Sequence, residues 1–395
     1  MSLINEVELK FVSDYGTEKV DAELLNSSNY ISTDNLIAEK GGAVNSDYLP
    51  TKGRVSKYSV GDSLVSNIRP YFKKILFAKV SGGCSNDVIV FKPKLSKIDP
   101  KYLYYQLSKD EFFDFMMAGA NGTKMPRGNK NSIPLFKIFL PPLPTQFRIA
   151  SILCAYDDLI ENNIKRIKLL EEIAQRTYEE WFVKFRVNGE QLPIDEKTGL
   201  PEGWEKKKIT DFISFRQDKE KIKKFDNQLV YLATADVDGT QITGEGEPIT
   251  WENKPSRAQK RLVKESVWFA RMSNTYKVIL ANRNFKKDYV ISSGFVGFRP
   301  KNNNCLPFLF CLINSDDFHS KKDLFATGAT QVSLNDVSLS TIELLEPSIT
   351  TIEMFGKQFN DTLELRQILI DQNQKLKESR DILLPKLMNG TINVQ

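Results

Sequence analysis

Two stretches decide how the chain is organised, Ser63-Leu-Val-Ser-Asn-Ile-Arg-Pro-Tyr-Phe-Lys-Lys-Ile-Leu-Phe-Ala78 and Ser266-Val-Trp-Phe-Ala-Arg-Met-Ser-Asn-Thr-Tyr-Lys-Val-Ile-Leu-Ala281. They align without a gap, and each ends in a lysine followed by an apolar run. Further matches keep the same order, Val90-Phe-Lys-Pro93 with Gly297-Phe-Arg-Pro300 and Asn121-Gly-Thr123 with Gly328-Ala-Thr330. Matches in a constant order at a long offset predict an internal repeat.

Each copy of the repeat has the pattern of a mixed α+β domain followed by a long helix. Short β-type runs are broken by glycine and asparagine turns, and aromatic helices are predicted at residues 101–117 and 306–321. The 395 residues exceed one ordinary core. We predict globular domains at residues 1–144 and 189–347, a central helix at 145–188 and a C-terminal helix at 348–395, related by a pseudo-twofold repeat.

The two predicted helices carry heptad seams, in which apolar residues recur at alternating three- and four-residue steps. The seams run from Leu153 to Trp181 and from Ile352 to Leu387. Thr145 is the expected N-cap of the first helix. The expected capping box of the second helix joins Thr350 with Glu353.

Seams of this length predict that the helices pair with each other, because helices of roughly 40 residues are about 60 Å long. Arg366, Asn373 and Arg380 are polar seam positions, which tend to set register and orientation. A parallel pairing would put the two globular domains side by side, and an antiparallel pairing would put them at opposite ends of a spacer. The alternative is that each helix only covers its own domain.

No catalytic constellation is found in the sequence. His319 is the single histidine, which excludes His-dependent triads and HExxH zinc sites, and no phosphate-binding glycine loop has the required spacing. The acidic pairs Asp157-Asp158 and Glu171-Glu172 are interpreted as solvated charge on exposed helix faces. The four cysteines lack CxxC spacing and are expected to be free thiols. The chain is therefore predicted to be non-catalytic, with no cofactor and no metal ion of its own.

Composition leaves the class of partner open. The composition, 41% hydrophobic and 27% charged residues, is typical of a globular protein. The net charge of +5 permits binding to nucleic acid but does not require it. No apolar run is long enough to cross a bilayer, and the N-terminus lacks the layout of a signal peptide. We therefore expect a cytoplasmic protein with no membrane partner.

Candidate DNA contacts lie where cations, amides and aromatic residues are interleaved. Lys and Arg can neutralise phosphates, while Asn, Gln and Arg can read base edges in the major groove. The alternative is that the aromatic residues are strand core and the cations are merely solvated. The candidates are Asn67, Arg69, Tyr71, Lys73, Lys74, Asn121, Thr123, Lys124, Arg127 and Lys130 in the first copy, and Arg257, Lys260, Arg271, Asn274, Tyr276, Lys277, Thr330 and Gln331 in the second.

Four segments resemble the specificity subunits of Type I restriction–modification systems. These are Asp62-Ser-Leu-Val-Ser-Asn-Ile-Arg-Pro-Tyr-Phe-Lys-Lys74 with Gly82-Gly-Cys-Ser-Asn-Asp87, Leu140-Pro-Pro-Leu-Pro-Thr-Gln146, Leu200-Pro-Glu-Gly-Trp-Glu205 and Arg380-Asp-Ile-Leu-Leu-Pro-Lys-Leu-Met-Asn-Gly390. The resemblance covers essentially the whole chain in the order domain, helix, domain, helix. One departure is that the first domain lacks the tryptophan-bearing opening seen at Trp204, so the start of that domain is less defined.

The resemblance implies a function. Each globular domain would be a target recognition domain for one half of a bipartite, asymmetric site in double-stranded DNA, and the helices would pair antiparallel as a coiled coil that sets the gap. Two methyltransferase subunits would supply S-adenosylmethionine, and restriction subunits would supply ATP- and Mg-dependent activity. Two other hypotheses remain open, a self-contained nuclease or methyltransferase and a coiled-coil adaptor whose domains bind proteins.

Overall fold

The computed structural model describes residues 6–328 and 332–394 of the chain. Its internal contacts divide the chain into two compact units, which we call unit 1 (Met1–Glu161 with Gln374–Gln395) and unit 2 (Asn162–Asn373). Both contain helices and sheets, which confirms the prediction of a mixed α+β protein. Each of the two long helices contributes residues to both units.

Unit 1 is built mostly from short strands. They are β1 (Glu6–Glu8), β2 (Ser13–Tyr15), β3 (Lys19–Asp21), β4 (Tyr30–Ile31), β5 (Arg54–Tyr58), β6 (Ser63–Ser66), β7 (Ile75–Phe77), β8 (Gly82–Cys84), β9 (Val88–Pro93) and β10 (Lys137–Phe139). The helices are α1 (Leu9–Val12), α2 (Pro100–Leu107), α3 (Asp110–Ala118) and the first part of α4 (Leu143–Tyr178). Single 3-10 turns lie at Ala22–Leu24, Pro70–Phe72 and Ile133–Leu135.

The strands of unit 1 form two four-stranded sheets in the orders β2-β9-β6-β7 and β3-β5-β8-β4, and the pair β1-β10. In the first sheet β6 and β9 are buried, as expected for β-branched and aliphatic runs that are covered on both faces. Val65 and Phe91 pack there with Phe112 of α3 and with Leu153 of α4. The same core takes in Leu387, near the end of the chain.

Unit 2 is longer and has more strands. They are β11 (Arg186–Val187), β12 (Glu190–Gln191), β13 (Glu205–Lys208), β14 (Phe215–Asp218), β15 (Leu229–Leu232), β16 (Val237–Asp238), β17 (Gln241–Ile242), β18 (Glu247–Ile249), β19 (Ala258–Arg261), β20 (Ser266–Ala270), β21 (Val278–Ala281), β22 (Tyr289–Ser292), β23 (Phe295–Pro300) and β24 (Glu343–Glu346). The helices are α5 (Leu306–Asn314), α6 (Asp316–Leu324), α7 (Asp336–Leu339) and most of α8 (Ile349–Met388). A π-helical turn, Glu179–Val183, continues α4, and 3-10 turns lie at Ile209–Asp211, Thr234–Asp236 and Asn303–Cys305.

The sheets of unit 2 follow the order of those in unit 1. The first is β14-β23-β20-β21, and the strand pair β13-β24 takes the place of β1-β10. In the second sheet, β18-β15-β22-β19, strand β22 has one parallel neighbour and one antiparallel neighbour, as β8 has in unit 1. The outer strand differs, since β18 flanks the parallel neighbour here, whereas β3 flanks the antiparallel neighbour in unit 1.

The predicted aromatic helices are each two helices. Residues 101–117 divide into α2 and α3, and residues 306–321 divide into α5 and α6. The second break is made by Ser315, whose hydroxyl accepts a hydrogen bond from the backbone N–H of Phe318 and so caps α6. A serine followed by two aspartates, at the end of the apolar run, carried this signal, but apolar periodicity alone did not reveal the break.

The long helices begin slightly earlier than predicted. Helix α4 starts at Leu143 rather than after Thr145. Helix α8 starts at Ile349 because the Ser348 hydroxyl accepts from the N–H of Thr351 at 3.3 Å. The expected capping box is therefore wrong, and Glu353 accepts instead from the side-chain amide of Asn302 at 2.9 Å. None of the described helices is both long and apolar enough to cross a membrane.

Candidate nucleic-acid interface

Two loops of unit 1 are joined through their backbones at the end of β6. The N–H of Arg69 donates to the carbonyl of Pro126 at 2.8 Å, and the N–H of Gly128 donates to the carbonyl of Asn67 at 3.1 Å. Asn121 and Arg127 close the second loop with a reciprocal pair of hydrogen bonds of 2.9 and 3.0 Å. Residues 67–74 and 121–130, which the sequence selected separately, therefore form one braced surface, called the joined loops of unit 1.

Six candidates are exposed on the joined loops of unit 1: Tyr71, Asn121, Thr123, Lys124, Arg127 and Lys130. Arg127 is held by Asp87, whose carboxylate lies 3.2 Å from its guanidinium. The carbonyl of Lys130 accepts from the Tyr15 hydroxyl at 3.0 Å. This set offers cations, amides, a hydroxyl and an aromatic ring on an ordered backbone, which is the chemistry that phosphates and base edges require.

The other candidates of unit 1 are buried or half-buried. Asn67 is buried, Arg69 is half-buried and adopts a left-handed backbone conformation, and the ammonium of Lys74 donates to the carbonyl of Thr33 at 2.5 Å. Lys73 is half-buried and lies 3.1 Å from the carboxylate of Asp110. Burial alone would lower the pKa of Lys73, but the hydrogen bond and charge attraction of Asp110 outweigh it and hold the pKa above its ordinary value.

Unit 2 joins its loops with the same hydrogen-bond pattern. The N–H of Ser273 donates to Val332 at 3.0 Å, the N–H of Leu334 donates to Arg271 at 2.9 Å, and Thr327 and Ser333 form the reciprocal pair. The lysine at the end of the first loop is placed alike, since the Lys277 ammonium donates to the carbonyl of Thr234 at 2.8 Å. We call these segments the joined loops of unit 2.

The first loop is one residue shorter in unit 2. In unit 1 the N–H of Ser66 donates to the carbonyl of Lys74, the last residue of the loop. In unit 2 the N–H of Ala270 donates to the carbonyl of Lys277, the corresponding lysine. Residues 67–73 therefore correspond to residues 271–276. The gapless alignment holds from the lysines onward but places the preceding strand one residue out of register.

Two candidates in unit 2 are restrained by hydrogen bonds. Arg271 donates to the carbonyl of Leu334 at 3.0 Å and to Asp336 at 2.7 Å, which fixes the two loops to each other. Lys260 donates weakly to the carbonyls of Asp218 and Glu220. Burial lowers the pKa of Lys260, although Asp218 opposes that shift.

Three candidates in unit 2 are exposed: Arg257, Asn274 and Tyr276. Asn274 adopts a left-handed backbone conformation, with φ of 54°. The Tyr276 hydroxyl donates to Asn314 at 2.9 Å, and its ring lies 4.5 Å from that of His319. Thr330 and Gln331 lie outside the described residues, so their predicted contacts stay predictions.

His319 serves the packing beneath the joined loops of unit 2. It is half-buried between the Tyr276 and Phe318 rings. Burial, aided by the nearby Lys322 ammonium, lowers its pKa to about 4, so the imidazole is neutral at neutral pH. In the described part of the chain, no group of His, Cys, Asp and Glu residues could hold a metal ion, and all four cysteines are free thiols.

The interpretation of Asp157 and Glu171 as solvated helix charge is wrong. In unit 1 the Asp157 carboxylate accepts from the Tyr105 hydroxyl at 2.6 Å and from Arg380 of α8 at 2.7 Å. In unit 2 the Glu171 carboxylate accepts from Arg366 of α8 and from the Thr240 hydroxyl, the latter at 2.8 Å. The polar seam positions of the second helix were the signal that these acids would find partners.

A third polar contact joins α4 and α8 within unit 2. The Asn163 amide donates to the Asn373 side-chain oxygen at 3.0 Å, and both side chains are buried. The three polar positions of the second seam, Arg366, Asn373 and Arg380, thus each meet a polar residue of the first helix. Within unit 2, from the Asn163–Asn373 contact to the Glu171–Arg366 contact, residue numbers rise along α4 while they fall along α8.

Known proteins resemble this chain as follows. Residues 13–172 match the family model described as the Type I restriction modification DNA specificity domain. The specificity subunit of the Type I restriction enzyme HindI from Haemophilus influenzae is 25% identical over 404 residues, covering 84% of this chain and 86% of that protein. The MjaIX specificity subunit of Methanocaldococcus jannaschii is 25% identical over 318 residues, covering 75% and 69%. The solved S subunit of a Type I system from M. genitalium has a similar fold, with a TM-score of 0.56 at 16% identity, and covers 98% and 97%.

Proposed function

We propose that this chain is a specificity subunit of a Type I restriction–modification system, which it resembles, and that it reads a bipartite, asymmetric site in double-stranded DNA, one half with each unit. Specificity subunits are non-catalytic, and the chain is therefore not an enzyme by itself. The observation that carries the proposal is the pair of joined loops, which recurs with the same hydrogen bonds in both units.

The exposed side chains of the joined loops are the proposed DNA contacts. In unit 1 the cations Lys124, Arg127 and Lys130 would meet phosphates or guanine edges, and Asn121 and Thr123 would reach base edges. In unit 2 the exposed Arg257, Asn274 and Tyr276 take those roles, with Thr330 and Gln331 as further candidates. The restrained side chains, among them Lys74, Arg271 and Lys277, would position the loops without touching DNA.

The two units would be two copies of a target recognition domain, followed each time by a long helix. Support comes from the shared strand order and from the matching lysine-to-carbonyl bonds of Lys74 and Lys277. Residues 1–144 and 189–347 would then be the recognition domains, and residues 145–188 and 348–395 would be the helical segments.

The long helices would pair antiparallel as a coiled coil and act as the ruler between the half-sites. The support is the opposite run of residue numbers in the three polar contacts, one in unit 1 and two in unit 2. A polar layer inside an apolar seam sets register because any shift leaves its groups without partners.

Catalysis would come from partners that this chain positions. Two methyltransferase subunits would bring S-adenosylmethionine, and restriction subunits would bring ATP- and Mg-dependent translocation and cleavage. Exposed apolar side chains on α4, such as Leu159, Leu169 and Ile173, would offer an apolar contact surface to such partners.

Methylome sequencing tests the function directly. A host carrying this chain and its neighbouring methyltransferase subunit is compared with a host that lacks only this chain. We expect N6-methyladenine at one gapped, asymmetric motif in the first host and its loss in the second. An unchanged methylome, with the methyltransferase subunit expressed and bound, would contradict the proposal and favour the protein-binding adaptor.

A further inference from the structure

The buried faces of α4 and α8 match position by position. Both helices begin with the same backbone bond, from Gln146 to Pro142 in α4 and from Ile352 to Ser348 in α8, each 3.1 Å long. We count onward from Gln146 in α4 and from Ile352 in α8. Nine positions are then buried in both helices: Ile149 with Phe355, Ala150 with Gly356, Leu153 with Phe359, Ile160 with Arg366, Asn163 with Leu369, Ile167 with Asn373, Tyr178 with Leu384, Trp181 with Leu387, and Phe182 with Met388.

This equivalence means that the two helices bury side chains at corresponding positions. A seam that is the same on both helices would pair equally well with the other helix or with a copy of itself, because apolar packing is non-directional. In a chain with a repeated helix, two copies could then exchange helices or dimerise through like helices. Something else must distinguish the correct partner.

Polar residues break the equivalence at three contacts between the helices, Asp157–Arg380, Asn163–Asn373 and Glu171–Arg366, which we call the polar layers. The second helix has Arg366, Asn373 and Arg380 where the first has Ile160, Ile167 and Ala174. The first helix has Asp157, Asn163 and Glu171 where the second has Leu363, Leu369 and Lys377. Each polar residue of one helix meets a polar residue of the other in the contacts described above, with opposite charges in two layers and paired amides in the third.

Pairing of like helices would separate all these partners. Two copies of α8 in the same register would place Arg366 against Lys377, Asn373 against Leu369 and Arg380 against Leu363. Two copies of α4 would place Glu171 against Ile160, Asn163 against Ile167 and Asp157 against Ala174. Arg366 is only 1% exposed, so its charge could not escape to water in such a pair.

We propose that the three polar layers select the partner of each long helix, so that α4 pairs with α8 of the same chain and a second copy of the chain is rejected. This selection rests on the proposed helix pairing and repeat. It goes beyond setting the register, because it concerns which molecule supplies the second helix. The layers cost desolvation energy, and their benefit is specificity between two helices that bury side chains at corresponding positions.

The test is the oligomeric state of full-length variants without DNA. Arg366→Glu puts a carboxylate against Glu171 within the chain and, between two copies, against Lys377. We expect wild type to be a monomer in sedimentation equilibrium and Arg366→Glu to form a dimer with a lowered thermal midpoint. Lys375→Glu changes an exposed charge of the same helix outside the seam and serves as the matched control, which should remain monomeric.

Two second-site variants make the test specific. Glu171→Lys added to Arg366→Glu restores opposite charges within the chain, and we expect a monomer that regains at least half of the lost midpoint. Lys377→Glu added to Arg366→Glu removes the attraction between copies, and we expect the dimer to disappear. If Arg366→Glu does not fold, recovery of a folded monomer by Glu171→Lys supports the proposal, and failure to recover overturns it.

A folded Arg366→Glu that remains monomeric, whatever its thermal midpoint, would overturn the selection, as would a dimer that survives Lys377→Glu. Because the measurement involves neither DNA nor methyltransferase, its failure leaves the proposed DNA-reading function to be decided by the methylome. A missing methylation motif would in turn leave the helix selection intact.

Discussion

The ammonium groups of Lys74 and Lys277 donate to the carbonyls of Thr33 and Thr234, although both lysines look like phosphate ligands in the sequence. A cation directly before a buried strand can bind a backbone carbonyl of its own chain or an external anion, and the covalent sequence is the same in both cases. Lys124 and Arg127 differ because their loop leaves their side chains exposed. At the scale of residues, exposure separates the proposed DNA contacts from the side chains that brace the loops.

Lys124→Ala and Lys277→Met should therefore differ in DNA binding. We expect Lys124→Ala to weaken binding to all sequences and to lower the salt slope of log K by about 1, the loss of one phosphate contact. Lys277→Met keeps the aliphatic stem, should leave the slope unchanged and should lower the free energy of unfolding by about 1–2 kcal/mol, since one charge-assisted hydrogen bond is lost. Binding titrations at several salt concentrations with chemical unfolding measure both effects. If Lys277→Met lowered the salt slope and Lys124→Ala left it unchanged, Lys277 and not Lys124 would contact phosphate.

His319 is the single histidine of the chain, so its titration can be followed as one imidazole resonance by NMR. We expect a midpoint near pH 4 in the folded protein, because burial and Lys322 lower its pKa from 6.5 to about 4. The unfolded chain binds the proton below about pH 6.5, so stability falls as pH drops from about 6.5 towards 4. His319→Phe should lose less stability over this window. A midpoint near 6.5 would contradict the packed environment.

Helices α4 and α8 show how a seam combines apolar packing with a few polar layers. Apolar residues such as Leu153 and Phe359 supply burial, and the layers at Asn163–Asn373, Glu171–Arg366 and Asp157–Arg380 supply direction. Buried polar groups contribute less to stability than apolar groups of similar size, but they penalise every arrangement that leaves them unpaired. At the scale of elements, they are the reason to expect a spacer of defined length.

Insertion of one heptad into each helix, beside Asn163 and beside Asn373, should lengthen the gap between half-sites. Seven residues add about 10.5 Å at 1.5 Å per residue, which corresponds to about three base pairs at 3.4 Å each. The measurement is methylation mapping of the variant with its methyltransferase subunit. An insertion in α4 alone serves as a control and should destabilise the protein, because it displaces the polar layers beyond it. A gap that stays constant in the double insertion would refute the ruler.

Across the whole molecule, the two units share the strand order of the first sheet and one way of joining loops. They differ in loop length and in the outer strand of the second sheet. Shared architecture with different loops would suit the two proposed half-sites of different sequence. The proposed DNA-reading surface could change in one unit while the buried strands β6 and β20 keep their packing.

Exchange of residues 189–347 for the matching segment of a related specificity subunit should therefore change one half of the methylated motif and leave the other half and the gap unchanged. The reason is that each unit has its own hydrophobic core and its own joined loops. The modified motif is determined by methylome sequencing, with a chain carrying an exchange of residues 1–144 as the reciprocal control. A change in both halves after one exchange would show that the units do not read independently.

The sequence alone was sufficient for the mixed α+β class, the two long helices and the resemblance to Type I specificity subunits. These depend on patterns along the chain: alternation in strands, heptad spacing in helices and ordered motifs. It located the joined loops approximately, since Asn67 and Asn121 were both selected, but it did not show that the loops are hydrogen-bonded to each other.

Only the tertiary structure decided which candidate side chains are exposed and which acids are paired. Lys277 turned inward, Lys124 stayed exposed, and Asp157 and Glu171 found partners more than 190 residues away in sequence. The physical reason is that the fate of a charged group depends on the atoms that surround it after folding. Local sequence determines the backbone conformations that are favoured, whereas desolvation and hydrogen bonding depend on neighbours that the chain brings together from distant positions.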